Sequence, residues 1–112
     1  MDTVKQMLEI KGWKIWSIGA SRAVYEAVQM MAEMEVGALT VVDNDDHLTG
    51  IISERDYARK LILKDRSPHE TSVADIMTRD VTFVREDTAV EKCMALMFQN
   101  KIRHIPVMDG DT

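Results

Sequence analysis

Gly50-Ile51-Ile52-Ser53-Glu54-Arg55-Asp56 is the stretch on which the fold turns. The apolar run Leu48–Ile52 has the length and composition of a buried strand, and the helical pattern from about Glu54 to Leu63 begins immediately after it. Ser53 and Asp56 stand three apart at that junction, the spacing of a capping box, which contributes about 0.5–2 kcal/mol to a helix without any ligand. The same junction suits an anion, because a helix start carries unpaired N–H groups and a partial positive field. Asp56 has the chemistry to accept from a vicinal diol such as a ribose, Ser53 to donate to a phosphate, and Arg55 to add positive charge. On the tetrapeptide alone both readings stand.

Upstream, the polar turn DNDDH (43–47) joins the strand to a second β-rich run, Ala38–Val42. Before that, Ala23, Val24, Ala27, Val28, Met31 and Met34 recur at three- and four-residue steps, the stripe of an amphipathic helix, preceded by a short extended run, Ile15–Ile18. Moving the chain by 66 residues lays this pattern on its own second half. Ala23/Ala89, Val24/Val90, Met31/Met97, Val41/Val107, Asp43/Asp109 and Asp45/Asp111 are identical, and seven further pairs from Ile15/Val81 to Val42/Met108 stay apolar. The second copy therefore has an extended run Val81–Val84, a helix with Val90, Met94, Met97 and Phe98 on its stripe, and a β-rich run His104–Met108. Thr88 and Glu91 have capping-box spacing at that helix start. The second copy stops at Thr112 without a counterpart of Leu48–Leu63, so it is expected to be incomplete, as in a fragment or a chain whose end is disordered, absent or replaced by a partner's segment. Between the copies, Ser67-Pro68 breaks the preceding helix and Ser72 with Asp75 is spaced to cap one turn through Ile76. At the start, Val4, Met7, Leu8 and Lys11 share one side of a short helix that Gly12 ends.

This order of elements, with GALTVVD, GIISERD, the linker VADIMT and a second copy carrying KIRHIPVMD, resembles the tandem cystathionine-β-synthase (CBS) domain pair, or Bateman module. The resemblance spans residues 13–112 and is nearest to small stand-alone bacterial proteins made of one such pair. It implies an α+β fold of βαββα units in pseudo-twofold arrangement. The division is an N-terminal helix (1–12), a first repeat (13–66), a linker (67–80) and a second repeat (81–112) that stops before its final strand and helix. It also implies a regulatory sensor for an adenosyl ligand: AMP first, with ADP, ATP, NAD or S-adenosylmethionine as alternatives. By the resemblance, Asp56 holds the ribose, Ser53 and Arg55 face the phosphates, and Gly37 and Ala38 approach from the same copy. Met77, Val81 and Thr82 would lie near the base with Ile102 and Arg103 beside it. A sibling cleft would use Ile15, Trp16, Val36, Arg103 and His104, without the acid of its own that the missing segment would carry. A homodimer and an unidentified regulated protein are the implied partners. The other reading is a protein-docking module without a physiological nucleotide.

The chain has 112 residues, 46% apolar and 29% charged, with net charge −5, the composition of one folded domain. An acidic balance argues against a nucleic-acid or membrane surface. The basic cluster Arg55, Arg59, Lys60, Lys64 and Arg66 fits a solvated helix face that leaves Tyr57, Ala58, Leu61 and Ile62 for the core. No apolar run approaches the roughly 20 residues of a membrane span, and the first residues lack the apolar stretch of a secretory signal. A single cysteine, Cys93, suits a reducing cytoplasm and aligns with inward-facing Ala27 as a small hydrophobe. Asp43 and Glu54 have the first-to-twelfth spacing of a calcium loop, yet Leu48 stands where glycine is needed and a strand fills the interval, so no metal is expected. No nucleophile has a base beside it in the sequence, so no catalysis is expected. Trp13 and Trp16 suit stacking on a base or anchoring the first helix, and Arg103-His104 suits phosphate or a solvated edge.

Overall fold

The computed structural model describes residues 2–12 and 15–109. Trp13 and Asp111, both used in the sequence analysis, lie outside them. The chain divides into two compact units. Ile15–Asp80 make the first; the N-terminal helix α1 (Val4–Lys11) and the chain from Val81 make the second.

In the first unit, β1 (Ser17–Gly19), β2 (Ala38–Val42) and β3 (Leu48–Ser53) form a sheet in that order. β1 runs parallel to β2, which forces the crossover through α2 (Val24–Met34), whereas β2 and β3 are an antiparallel hairpin. Alternation along β2 buries Leu39 and Val41 on one face, where Val24, Ala27 and Met31 of α2 meet them. Ile52 and Leu61 complete this core, with Val73 and Ile76 from the single-turn helix α4 (Val73–Ile76). α3 (Glu54–Asp56) continues without a break as a π-helix, Tyr57–Ile62, in which Leu63 N–H donates to Ala58 O at 3.1 Å. The wider turn slips the helix face relative to an α-helical wheel. Leu61 is buried and Tyr57 half-buried as expected, but Ala58 and Ile62 are exposed, so the inward stripe is narrower than its α-helical spacing implies.

The second unit repeats this plan in matching register. β4 (Val84–Arg85) runs parallel to β5 (Val107–Met108), with Val84 opposite Val107 just as Ile18 faces Val41. α5 (Val90–Asn100) has the 11 residues of α2 and ends the same way, on a non-glycine left-handed residue: Lys101 at φ 56°, Glu35 at φ 56°. The strands are shorter than the runs Val81–Val84 and His104–Met108, and β1 likewise starts at Ser17 instead of Ile15. Thr88 does not cap α5. Its hydroxyl accepts from Arg85 N–H at 3.0 Å, and Ala89 stands at the cap position. Only Cys93 of α5 is fully buried, packed with Val4 and Val84. Met94 and Phe98, expected on the inward stripe, are 64% and 86% exposed, because the inward arc runs through Cys93, Leu96 and Met97.

The chain before each repeat plays the same part. Val73 N–H donates to Arg22 O and Val24 N–H to Thr71 O in the first unit; Val4 N–H donates to Thr88 O and Val90 N–H to Asp2 O in the second. Ala23 bridges Ser72 as Ala89 bridges Thr3. α1 is thus the second repeat's counterpart of α4, and buried Val4 is the counterpart of buried Val73.

Candidate functional site

The polar side chains of the first unit converge at the corner where β3 becomes α3. Ser53 is extended, as an N-cap residue must be, and its Oγ accepts from Asp56 N–H at 3.2 Å. Asp56 Oδ2 accepts in return from Ser53 N–H at 3.0 Å and from Ser53 Oγ–H at 3.1 Å. The capping box is therefore complete. Glu54 N–H donates to Gly37 O at 3.0 Å, and Tyr57 N–H to Glu54 O. These bonds use much of the N–H set that the sequence offers to an anion, and Ser53's hydroxyl hydrogen is turned toward Asp56.

Asp56 does more than cap. It is 5% exposed, and its second oxygen faces away from the cap. Oδ1 accepts from Thr78 Oγ1 at 3.1 Å and pairs with Lys60 Nζ at 2.8 Å. Lys60 Nζ also donates to Ile76 O at 3.0 Å. The linker is held here by its backbone as well, with Ile51 N–H donating to Thr78 O and Thr78 N–H to Ile51 O at 3.0 and 2.8 Å. Only glycine allows this approach: a Cβ on Gly50 would stand 2.7 Å from Met77 Sδ and 2.8 Å from Thr78 O. The β3–α3 corner and residues 76–78 are one bonded assembly.

Of the residues singled out by sequence, this corner brings together Gly37, Ala38, Ser53, Asp56 and Met77; Ala38 pairs with Ser53 across the sheet, and Met77 is buried. Arg55 is exposed on α3. Ile15 and Trp16 lie exposed before β1, and half-buried Val36 packs against the core between α2 and β2. Val81, Thr82, Ile102, Arg103 and His104 belong to the other unit, where the first three are half-buried and the last two exposed. Lys60 and Thr78 were missed. Lys60 falls in the basic run and reads as solvated, although its four-residue spacing from Asp56 is the signal of an ion pair on a helix. Thr78 has no local signal, since its partner is 22 residues away.

Two other features lie apart from this corner. Asp43, Asp45 and His47 bring ligand-type atoms within 4.8 Å on the exposed β2–β3 turn. Asp43 Oδ1 there accepts from the N–H groups of Asp45 and His47, each at 2.9 Å, the internal bonding of a tight turn. His47 N–H is the chief reason the Asp43 carboxyl is held below the ordinary range. Burial pushes the Cys93 thiol up, away from the reactive thiolate. Among the described residues no helix is long and apolar enough to cross a membrane.

The family model for the CBS domain matches residues 14–63 and again 73–112. The chain belongs to the CBS-domain family. A mitochondrial CBS-domain protein of Arabidopsis thaliana, CBSX3, is 48% identical over 89 residues, which cover 76% of this chain and 43% of that protein. The inosine-5'-monophosphate dehydrogenase of Methanocaldococcus jannaschii is 31% identical over 111 residues, 99% of this chain but 21% of the enzyme. The chain thus spans less than half the length of either relative. A solved structure of a protein with CBS domains from Burkholderia ambifaria superposes with TM-score 0.92 at 42% identity, covering 98% of this chain and 82% of that one. The two matched segments and this fold make the module a tandem CBS pair of the α+β class.

Proposed function

We propose that this CBS module is a regulatory sensor that binds an adenine nucleotide at the Asp56 corner of its first repeat, AMP foremost, with ADP, ATP, NAD and S-adenosylmethionine as competing ligands. The observation that carries the proposal is the buried Asp56 carboxylate, whose Oδ1 lies outside the capping box yet is lined with donors from the helix and the linker. A cap alone needs only Oδ2. The donors on Oδ1, Thr78 Oγ1 and Lys60 Nζ, stand where two neighbouring hydroxyls would bond once a donor is exchanged, and Ser53, Gly37 and Ala38 stand beside it. The module works without chemistry on the nucleotide; binding changes the linker that Asp56 holds, and with it the state of a homodimer or a regulated partner.

The test is titration calorimetry of AMP on the parent, Asp56→Ala and Asp56→Asn, with circular dichroism to establish folding. Loss of a charged hydrogen bond predicts about ten- to a hundredfold weaker binding by the alanine variant. Equal affinities, or no binding by the parent, would overturn the reading. A second reading, a module that docks to a protein, is favoured by the exposed Met94 and Phe98. Absence of thermal stabilisation by all five adenosyl ligands would select it.

A further inference from the structure

A carboxylate accepts about four hydrogen bonds, two on each oxygen, and Asp56 meets four donor atoms from three residues, Ser53, Thr78 and Lys60. A diol therefore enters only by replacing some of them. The four are not equally replaceable. Both bonds on Oδ2 come from Ser53, and surrendering them undoes the helix start. Thr78 is fixed in place by its two backbone bonds to Ile51. Lys60 is tethered at this corner by its Nζ alone, through the Asp56 and Ile76 contacts, and its side chain is 45% exposed, so the ammonium passes back into water at small cost.

We infer that Lys60 is a built-in competitor for the ligand: its ammonium occupies the Asp56 oxygen that a ribose diol requires, and ligand entry expels it. This deepens the nucleotide reading above and rests on it. The expulsion has a consequence along the chain, because the other acceptor of Lys60 Nζ is the carbonyl of Ile76, the last residue of α4 in the linker. With Lys60 in place the helix is cross-linked to the linker at Asp56 and at Ile76; with the diol in place the Ile76 tie is gone. Sugar binding and loss of the Lys60–Ile76 tie are then two sides of one exchange, and by linkage the ligand weakens that tie by the same factor as the tie weakens the ligand.

The test uses adenosine, which carries the diol without phosphate charge, titrated into the parent, Lys60→Met, Lys60→Gln and the exposed control Arg59→Met. Both Lys60 variants are expected to bind about three- to fivefold more tightly, the scale of a half-exposed ion pair, with Arg59→Met unchanged. Parental affinity should rise with salt, which screens the Lys60–Asp56 pair, and the Lys60→Met affinity should not. 2'-Deoxyadenosine should gain nothing from Lys60→Met. Binding by Lys60→Met equal to or weaker than the parent overturns the competitor while leaving the Asp56 site standing, as does equal tightening by Arg59→Met. A parent that binds neither adenosine nor AMP, titrated up to millimolar ligand, overturns both, and where only AMP binds the same variants are read with AMP.

Discussion

The two repeats share strand register, helix length and helix ending, and differ in how much they bury. In the first, β3 adds a third strand and Leu61 of the π-helix seals the end of the core, so Val24, Ala27 and Met31 of α2 are all buried. In the second, the described residues form two short strands, and α5 buries Cys93 while Val90 and Met97 remain half-buried. Among the described residues, equivalent positions on α2 and α5 thus bury different amounts, while their strand register and helix ends agree.

The sharpest way to break that contrast is to remove apolar volume from each repeat. Ile52→Ala should cost about 2–5 kcal/mol in urea unfolding, whereas Phe98→Ala should stay within about 0.5 kcal/mol. A large loss from Phe98→Ala would mean that its face is covered in solution. A matched pair sharpens the symmetry instead. Val4→Ala and Val73→Ala remove counterpart side chains, both fully buried, and each should cost about 1.5–3 kcal/mol. Hydrogen exchange separates them: Val4→Ala should expose amides of β4 and α5, and Val73→Ala those of α2. The smallest effect concerns the turn that follows β2. The backbone donors His47 and Asp45 lower the folded pKa of Asp43, so its contribution to the turn is complete above the unfolded value and is lost as acid takes the pH down through the folded one. An NMR titration should find the Asp43 midpoint below that of a short peptide; an equal midpoint would remove the turn's hydrogen bonds.

Much of this was visible in the chain itself. The 66-residue offset placed α2 and α5, and their starts and ends fall on the same repeat positions in the structure. Ser53 and Asp56 announced the cap by spacing, and Asp56 the acceptor. What stayed hidden has physical causes. The kinship of α1 with α4 requires an offset three residues longer than that of the helices, so a single shift cannot align both. The narrow stripe of Tyr57–Ile62 follows from π winding, which hydrophobic periodicity does not distinguish from an α-helix. The donors of Oδ1 escaped because Lys60 sits among solvated cations and Thr78 arrives from a distant segment.

Because α1 is stitched into the second repeat, the molecule is wired crosswise: a segment that precedes the first repeat finds its seat only after the second has been made. A tether, an antibody or a fused domain gripping Val4–Lys11 would consequently pull on the core that Val4 shares with Val84 and Cys93.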